Sequence, residues 1–362
     1  MAGAPFGCKK LILVFFISYQ FDFIHLSMRT ALTSEEYIQG ILSGDRILLS
    51  KAITLIESSR KEDEALAAEV LEACLQTKKK SKRIAITGVP GAGKSTFINA
   101  WGKQIIDSGK SVAVLAIDPS SSISKGSILA DKTRMSDLVS ENRCYIRPTA
   151  SSNNLGGVAR TTRETILLCE AFGFDYIFIE TVGVGQSETV AKNMSDLFLL
   201  LLLPNAGDEL QGIKRGIMEM ADMVLINKSE GENIVAAKTA AAYIKRSLHL
   251  FAATEKSWTV PVLNISALQK TGLDELQQQV DFYFLQTETS GFLNHNRQQQ
   301  NKYWFEESIQ QELLQLFSTE SGLQHLKNEL TEKINNHLIT PVNAAKQLVQ
   351  EFIAKKKEAF NK

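Results

Sequence analysis

Cysteine is scarce in this sequence, and what there is does not cluster. Cys8, Cys74, Cys144 and Cys169 form no C-x-x-C pair, which argues against both a disulfide framework and a zinc site and suits a reducing, cytoplasmic setting. The five histidines are equally dispersed, none next to a cysteine or another histidine. Charge of one sign is lacking as well: 40 Lys plus Arg face 40 Asp plus Glu, so nothing indicates a polyanionic partner, and nucleic-acid binding is not expected. Long apolar runs are also missing. Leu11–Ile17 and Leu197–Leu203 are seven residues each, far below the roughly 20 needed to span a bilayer.

Lys9-Lys10 followed by Leu11–Ile17 imitates the start of a secretory signal. No small-x-small cleavage site follows, and Phe21, Asp22 and Phe23 interrupt the pattern. Residues 1–27 are therefore read as an uncertain tail or a misassigned start, with Met28 the alternative first residue and no stable membrane insertion beyond it.

What is present divides into three textures. Residues 28–82 read as a helical extension: Ser34 is the expected N-cap before Glu35 and Glu36, Tyr37, Ile38, Ile41 and Leu42 recur at helical spacing, and Gly44 ends the helix. Two further helices are expected around Ile47–Ile56 and Leu66–Cys74, followed by a solvated linker in the Lys78–Arg83 charge run. Residues 83–290 carry short apolar runs separated by helical stretches, the rhythm of a mostly parallel, doubly wound α/β sheet. Expected strands are Arg83–Thr87, Val112–Ile117, Tyr176–Glu180, Leu197–Leu203, Met223–Ile226 and Val262–Ile265. Residues 291–362 turn helical again, with apolar stripes such as Ile309, Leu313, Leu316 and Phe317 that a homodimer would bury symmetrically.

The sharpest motif is Gly88-Val89-Pro90-Gly91-Ala92-Gly93-Lys94-Ser95-Thr96, a full G-x-x-x-x-G-K-[ST] loop between a strand and a helical segment. Its glycines let backbone N–H groups converge on phosphate oxygens, and the helix N-terminus adds positive potential. Lys94 is expected at the β- and γ-phosphates, Ser95 on Mg²⁺, and Thr96 near the α-phosphate.

The base is read from Asn227-Lys228-Ser229-Glu230, close to the N-K-x-D guanine motif. Asn227 would hold the loops together and Lys228 would lie along the base. The carboxylate would accept from two guanine N–H donors, which adenine lacks. That carboxylate is Glu230, one methylene longer than the usual aspartate. Ser266-Ala267-Leu268 matches the loop that closes over guanine in many GTPases. GTP/GDP is the expected nucleotide.

Metal and switch residues are expected where strands end. Asp118 opens Asp118-Pro119-Ser120-Ser121, and Glu180 opens Glu180-Thr181-Val182-Gly183, a D-x-x-G switch with Glu for Asp. Asp118, Glu180, Ser95 and also Asp131 are the magnesium candidates. Gly183 would present its N–H to the γ-phosphate. Ras-like enzymes orient water with a Gln after the switch glycine, but here that residue is Val184, so intrinsic hydrolysis is expected to be slow. Gln186, Gln211 and Lys214 are candidates to complete the site, or else switch-positioning or surface residues.

Taken together these stretches resemble the mutase-associated GTPases called MeaB, whose older label was arginine/ornithine transport kinase. The resemblance runs through GVPGAGKST at 88–96, AIDPSSS at 116–122, GSILADKTRM at 126–135, LGGVARTTRE at 155–164, ETVGVGQSE at 180–188 and GDELQGIKRGIMEMAD at 207–222. It implies a P-loop NTPase of the G3E/SIMIBI class, which includes the nickel-inserting hydrogenase and urease chaperones. It also implies a G-protein chaperone that gates adenosylcobalamin delivery to methylmalonyl-CoA mutase or a relative and protects that enzyme. Residues 207–216 resemble its additional switch, and the C-terminal helices its dimerisation arm.

Three alternatives compete. A metal-insertion GTPase needs clustered soft or imidazole ligands, and none cluster in the sequence. A small-molecule kinase needs an ATP site, against which the guanine motif argues. A nucleotide-dependent scaffold with negligible turnover stays open.

Overall fold

A computed structural model describes residues 32–77, 79–117, 135–148, 155–181, 187–204, 215–248 and 258–360. By internal contacts the chain forms two compact units: the described residues up to Lys80 with Glu164–Gly173, and Ser81–Arg163 with the described residues from Phe174 onward.

The first unit holds α1 (Ser34–Ser43), α2 (Arg46–Ile56) and α3 (Lys61–Leu75), each packed on the other two. The N-cap of α1 is Thr33 and not Ser34. Glu36 N donates to Thr33 Oγ1 at 3.2 Å, Thr33 N donates to Glu36 Oε2 at 2.8 Å, and this reciprocal pair outcompetes a cap one residue later. Ile41, Leu49, Ile53, Val70 and Cys74 are fully buried here. Burial pushes the Cys74 thiol up to about 11, which leaves it an apolar filler at neutral pH.

The second unit is a seven-stranded sheet in the order β3-β2-β4-β1-β5-β6-β7, parallel at every pairing. The strands are β1 (Lys82–Gly88), β2 (Val112–Ile117), β3 (Cys144–Pro148), β4 (Tyr176–Thr181), β5 (Leu197–Leu202), β6 (Met223–Ile226) and β7 (Val262–Asn264). All six residues of β5 are buried, as a central strand covered on both faces requires. Two expectations need correction. The Lys78–Arg83 run is not linker to its end, because Lys82 and Arg83 already belong to β1 and Lys82 forms an ion pair with Asp281 at 2.6 Å. The sheet also has a strand the apolar pattern does not reveal: β3 carries Arg147 and Pro148 and sits at the edge, where neither residue disrupts a ladder.

Between the strands run α4 (Lys94–Asp107), α5 (Ser136–Val139), α6 (Leu155–Phe172), α7 (Ser187–Lys192), α8 (Arg215–Met220) and α9 (Ile234–Leu248). After β7 come α10 (Leu273–Thr289), α11 (Phe292–Ser318), α12 (Gln324–Asn335) and α13 (Pro341–Phe360). Trp101 of α4 stacks on Phe97 and Phe178 in the middle of the core, with centroids 5.5 and 4.9 Å apart. No helix among the described residues is long and apolar enough to cross a membrane.

One buried ion pair fastens α11 to the sheet. The Asp196 carboxylate is fully buried just before β5 and accepts from Arg297 Nε at 2.8 Å, Arg297 Nη2 at 2.7 Å and Arg83 N at 2.9 Å. Arg297 Nη2 also donates to Ser81 O at 2.7 Å, and Tyr283 Oη donates to Asp196 O at 2.9 Å. Removing one partner of such a pair strands a buried charge. Asp196→Ala should therefore cost about 3–5 kcal/mol, read as a lowered denaturation midpoint in urea; a midpoint within error of wild type would show that the pair does not hold α11.

Candidate functional site

The site lies at the C-terminal ends of the central strands, where doubly wound sheets bind ligands. β1 runs into the phosphate loop so tightly that a Cβ on Gly88 would lie 2.3 Å from the Leu201 carbonyl oxygen of β5. Ala92 N donates to Val89 O at 3.1 Å, closing the turn beyond Pro90. Gly93 then takes a left-handed φ of 83° and caps α4, whose N-terminus carries no side-chain cap. Its first N–H groups are thus left for an anion. Lys94 Nζ donates to Gly88 O at 2.9 Å and to Val89 O at 3.4 Å, so the ammonium is drawn across its own loop. Burial lowers the Lys94 pKa, and the negative charges of Glu180 and Glu188 oppose that shift. Thr96, one turn on, is exposed.

Beside the lysine, Ser95 Oγ donates to Glu180 Oε1 at 3.0 Å. Glu180 sits near the end of β4 and is 8% exposed. A hydroxyl and a carboxylate brought together make an all-oxygen donor set, which suits a hard divalent cation such as Mg²⁺. Thr181 Oγ1 donates to Thr87 Oγ1 at 2.8 Å just below. Asp118, Asp131, Gly183, Gln211 and Lys214 lie outside the described residues, as do Val184 and Gln186.

The loops after β6 and β7 meet the phosphate loop through Asn227, which is 2% exposed. Asn227 Nδ2 donates to Ala92 O at 2.7 Å, and Asn227 Oδ1 accepts from Ala267 N at 3.0 Å. Lys228 follows with a left-handed φ of 59° and an exposed side chain. Ser229 N donates to Ile265 O at 3.0 Å, tying the end of β6 to the residue after β7. Ser266 and Ala267 are buried and Leu268 is exposed. Glu230 leaves Oε2 buried and without a hydrogen-bond partner among the described residues.

One residue with no role in the sequence reading stands out. Glu188, at the start of α7, is 1% exposed, and neither carboxylate oxygen has a hydrogen-bond partner among the described residues. It closes the ETVGVGQSE stretch, but an acid near a helix start reads as a solvated first-turn residue, and nothing in the pattern betrays its burial.

Comparison with known proteins follows the same lines. The family model described as "Methylmalonyl Co-A mutase-associated GTPase MeaB" matches residues 49–322. The chain is 41% identical over 322 residues to the "GTPase ArgK" of Escherichia coli, covering 89% of this chain and 97% of that protein. It is 42% identical over 323 residues to the mouse "Methylmalonic aciduria type A homolog, mitochondrial", covering 86% and 78% respectively. Among solved structures, one titled as a LAO/AO transport system kinase superposes with a TM-score of 0.71 at 35% identity, covering 91% of this chain and all of the other.

The unpartnered Oε2 of Glu230 gives a direct test of base reading. Glu230→Ala should weaken GDP binding by roughly 1.5–3 kcal/mol, the worth of a hydrogen bond to a charged group, while leaving ADP binding unchanged in the same titration. Parallel losses for both nucleotides would remove Glu230 from the base pocket.

Proposed function

The chain belongs to the MeaB family of methylmalonyl-CoA mutase-associated GTPases, and from that premise we propose that it is a G-protein chaperone. It gates adenosylcobalamin delivery to methylmalonyl-CoA mutase, or to a related cobalamin mutase, and protects that enzyme. GTP hydrolysis is the chemistry of the family and of this chain. The observation that carries the reading is the Asn227 tie, which makes one continuous wall of the phosphate loop and the guanine-side loops.

Within that wall Lys94 holds the phosphates, the Gly88–Thr96 loop wraps them, and Glu230 with the Ser266–Leu268 loop reads guanine. Ser95 and Glu180, joined by Asp118 and Asp131, would hold Mg²⁺, which neutralises phosphate charge when bound. Gly183 would sense the γ-phosphate. Gln211 and Lys214, in the segment 207–216, would relay nucleotide state to the mutase. The setting is cytoplasmic.

The absence of a glutamine at Val184 supports slow basal turnover that a partner accelerates. Each tenfold acceleration corresponds to about 1.4 kcal/mol of transition-state stabilisation. Titrating the cognate mutase into a phosphate-release assay should raise GTP turnover by about one order of magnitude or more. Gln211→Ala with Lys214→Ala should lose most of that stimulation while basal turnover holds. No stimulation by any cobalamin mutase of the same cell would overturn the chaperone reading.

We also propose a homodimer built on the C-terminal helices. Ile309, Leu313 and Leu316 lie on successive turns of α11 and are 43%, 56% and 50% exposed, an apolar stripe that a twofold partner would cover. Ile309→Lys with Leu313→Lys should convert a dimer to a monomer by light scattering, with GDP binding retained. A monomeric wild-type chain in the same measurement would refute the dimer.

A further inference from the structure

The start of α7 packs on β4 and β1, the two strands that deliver Glu180 and the phosphate loop. Ser187, Glu188 and Ala191 form its buried side. A carboxylate taken out of water costs several kcal/mol in effective terms unless it is paired, and buried polar groups with no partner at all are rare. Glu188 has neither oxygen partnered among the described residues. It does face a charge, since its negative charge acts on the Lys94 ammonium together with that of Glu180. Lys94, however, spends its hydrogen bonds on Gly88 O and Val89 O, and Glu180 takes the Ser95 hydroxyl. Glu188 is left as a buried acceptor near the Lys94 ammonium with no donor among the described residues.

The chemistry of the occupant narrows what can satisfy it. A nucleotide's phosphate oxygens are themselves anionic acceptors and repel a carboxylate. Two species fit between a carboxylate and a phosphoryl group: a divalent cation, for which Ser95 and Glu180 already supply donors, and a water, which donates one O–H to the carboxylate and turns a lone pair to phosphorus. The position after the switch glycine, where Ras-like enzymes carry a Gln for this purpose, holds the apolar Val184.

We propose that Glu188 is the acceptor that orients the attacking water for GTP hydrolysis. The water oxygen forms the new bond to the γ-phosphorus. The bond from that phosphorus to the β,γ-bridging oxygen breaks, and its electron pair stays on GDP. The water proton held by Glu188 passes to the released phosphate, so the carboxylate ends as it began.

The proposal rests on the GTPase activity of the chain, and its test separates the two. In the full-length protein, Glu188→Gln keeps the size of the side chain but removes the charge, and Glu188→Ala removes the acceptor. Single-turnover phosphate release at saturating GTP should fall at least about a hundredfold in Glu188→Ala, the lower range of what a positioned proton acceptor contributes being ~10²-fold, and by less in Glu188→Gln, whose amide oxygen still accepts. The affinity for a fluorescent GDP should stay within about threefold of wild type, since the water is absent from the GDP complex. Wild-type turnover in Glu188→Ala would overturn the assignment. So would a fall in turnover matched by an equal fall in GDP affinity, which marks a carboxylate that only supports the loop. If Glu188→Ala does not fold, Glu188→Met, close in size and without an acceptor oxygen, decides in its place. Lys94→Ala is the control for the parent reading: wild-type turnover there would remove the phosphate loop from the reaction, and the role of Glu188 with it.

Discussion

The nucleotide site hangs on one buried amide. An asparagine can donate and accept at once, and Asn227 uses both capacities, holding Ala92 O of the phosphate loop on one side and Ala267 N on the other. An aspartate at this point would keep the second contact and lose the first. The tie also dictates its neighbours. A Cβ on Gly93 would lie 2.8 Å from Asn227 Nδ2, so the residue before the lysine must be glycine for space as well as for its left-handed φ. That φ in turn sets where α4 begins and where its N–H groups point. Loop closure, helix start and placement of the guanine-side loop are consequences of one hydrogen-bonded side chain.

The site is built with unfinished electrostatics. Among the described residues, Glu230 Oε2, Asn264 Oδ1 and both oxygens of Glu188 are buried without hydrogen-bond partners, and these residues follow or end β6, β7 and β4. Lys94 feels the negative charges of Glu180 and Glu188, while burial disfavours its own charge. Elsewhere in the same unit buried charge is settled internally, as Asp196 with Arg297 shows. Unsettled polar atoms at strand ends cost stability that a bound ligand can return.

Much of this was legible in the sequence because it depended on local pattern. The phosphate loop needs glycines and a lysine at fixed spacing, so Gly88–Thr96 announces itself. Six of the seven strands show as apolar runs because parallel strands are buried on both faces. β3 escapes because it lies at the sheet edge and one side of it is free of that demand. Thr33 is passed over as a cap because Ser34 offers the same chemistry one residue later, and only the reciprocal contact with Glu36 separates them. Glu188 is illegible for a deeper reason. Burial of an acid depends on how α7 settles on β4 and β1, and no spacing rule encodes that contact.

The position of β1 has a bearing on how the chain is made. The strand that carries the phosphate loop pairs with β4 through Lys82–Tyr176 and with β5 through Ile84–Leu197, partners about a hundred residues downstream. Closing such distances is what makes parallel sheets slow to assemble. During synthesis from the N-terminus β1 leaves the ribosome early, and its unpaired, apolar edges wait until about a third of the chain has followed, through Leu202 at the end of β5. Strand edges exposed in that interval are the surfaces that nascent-chain chaperones cover. The central placement that buries the nucleotide loop in the finished protein makes the same strand the one that waits longest for its partners while the protein is being born.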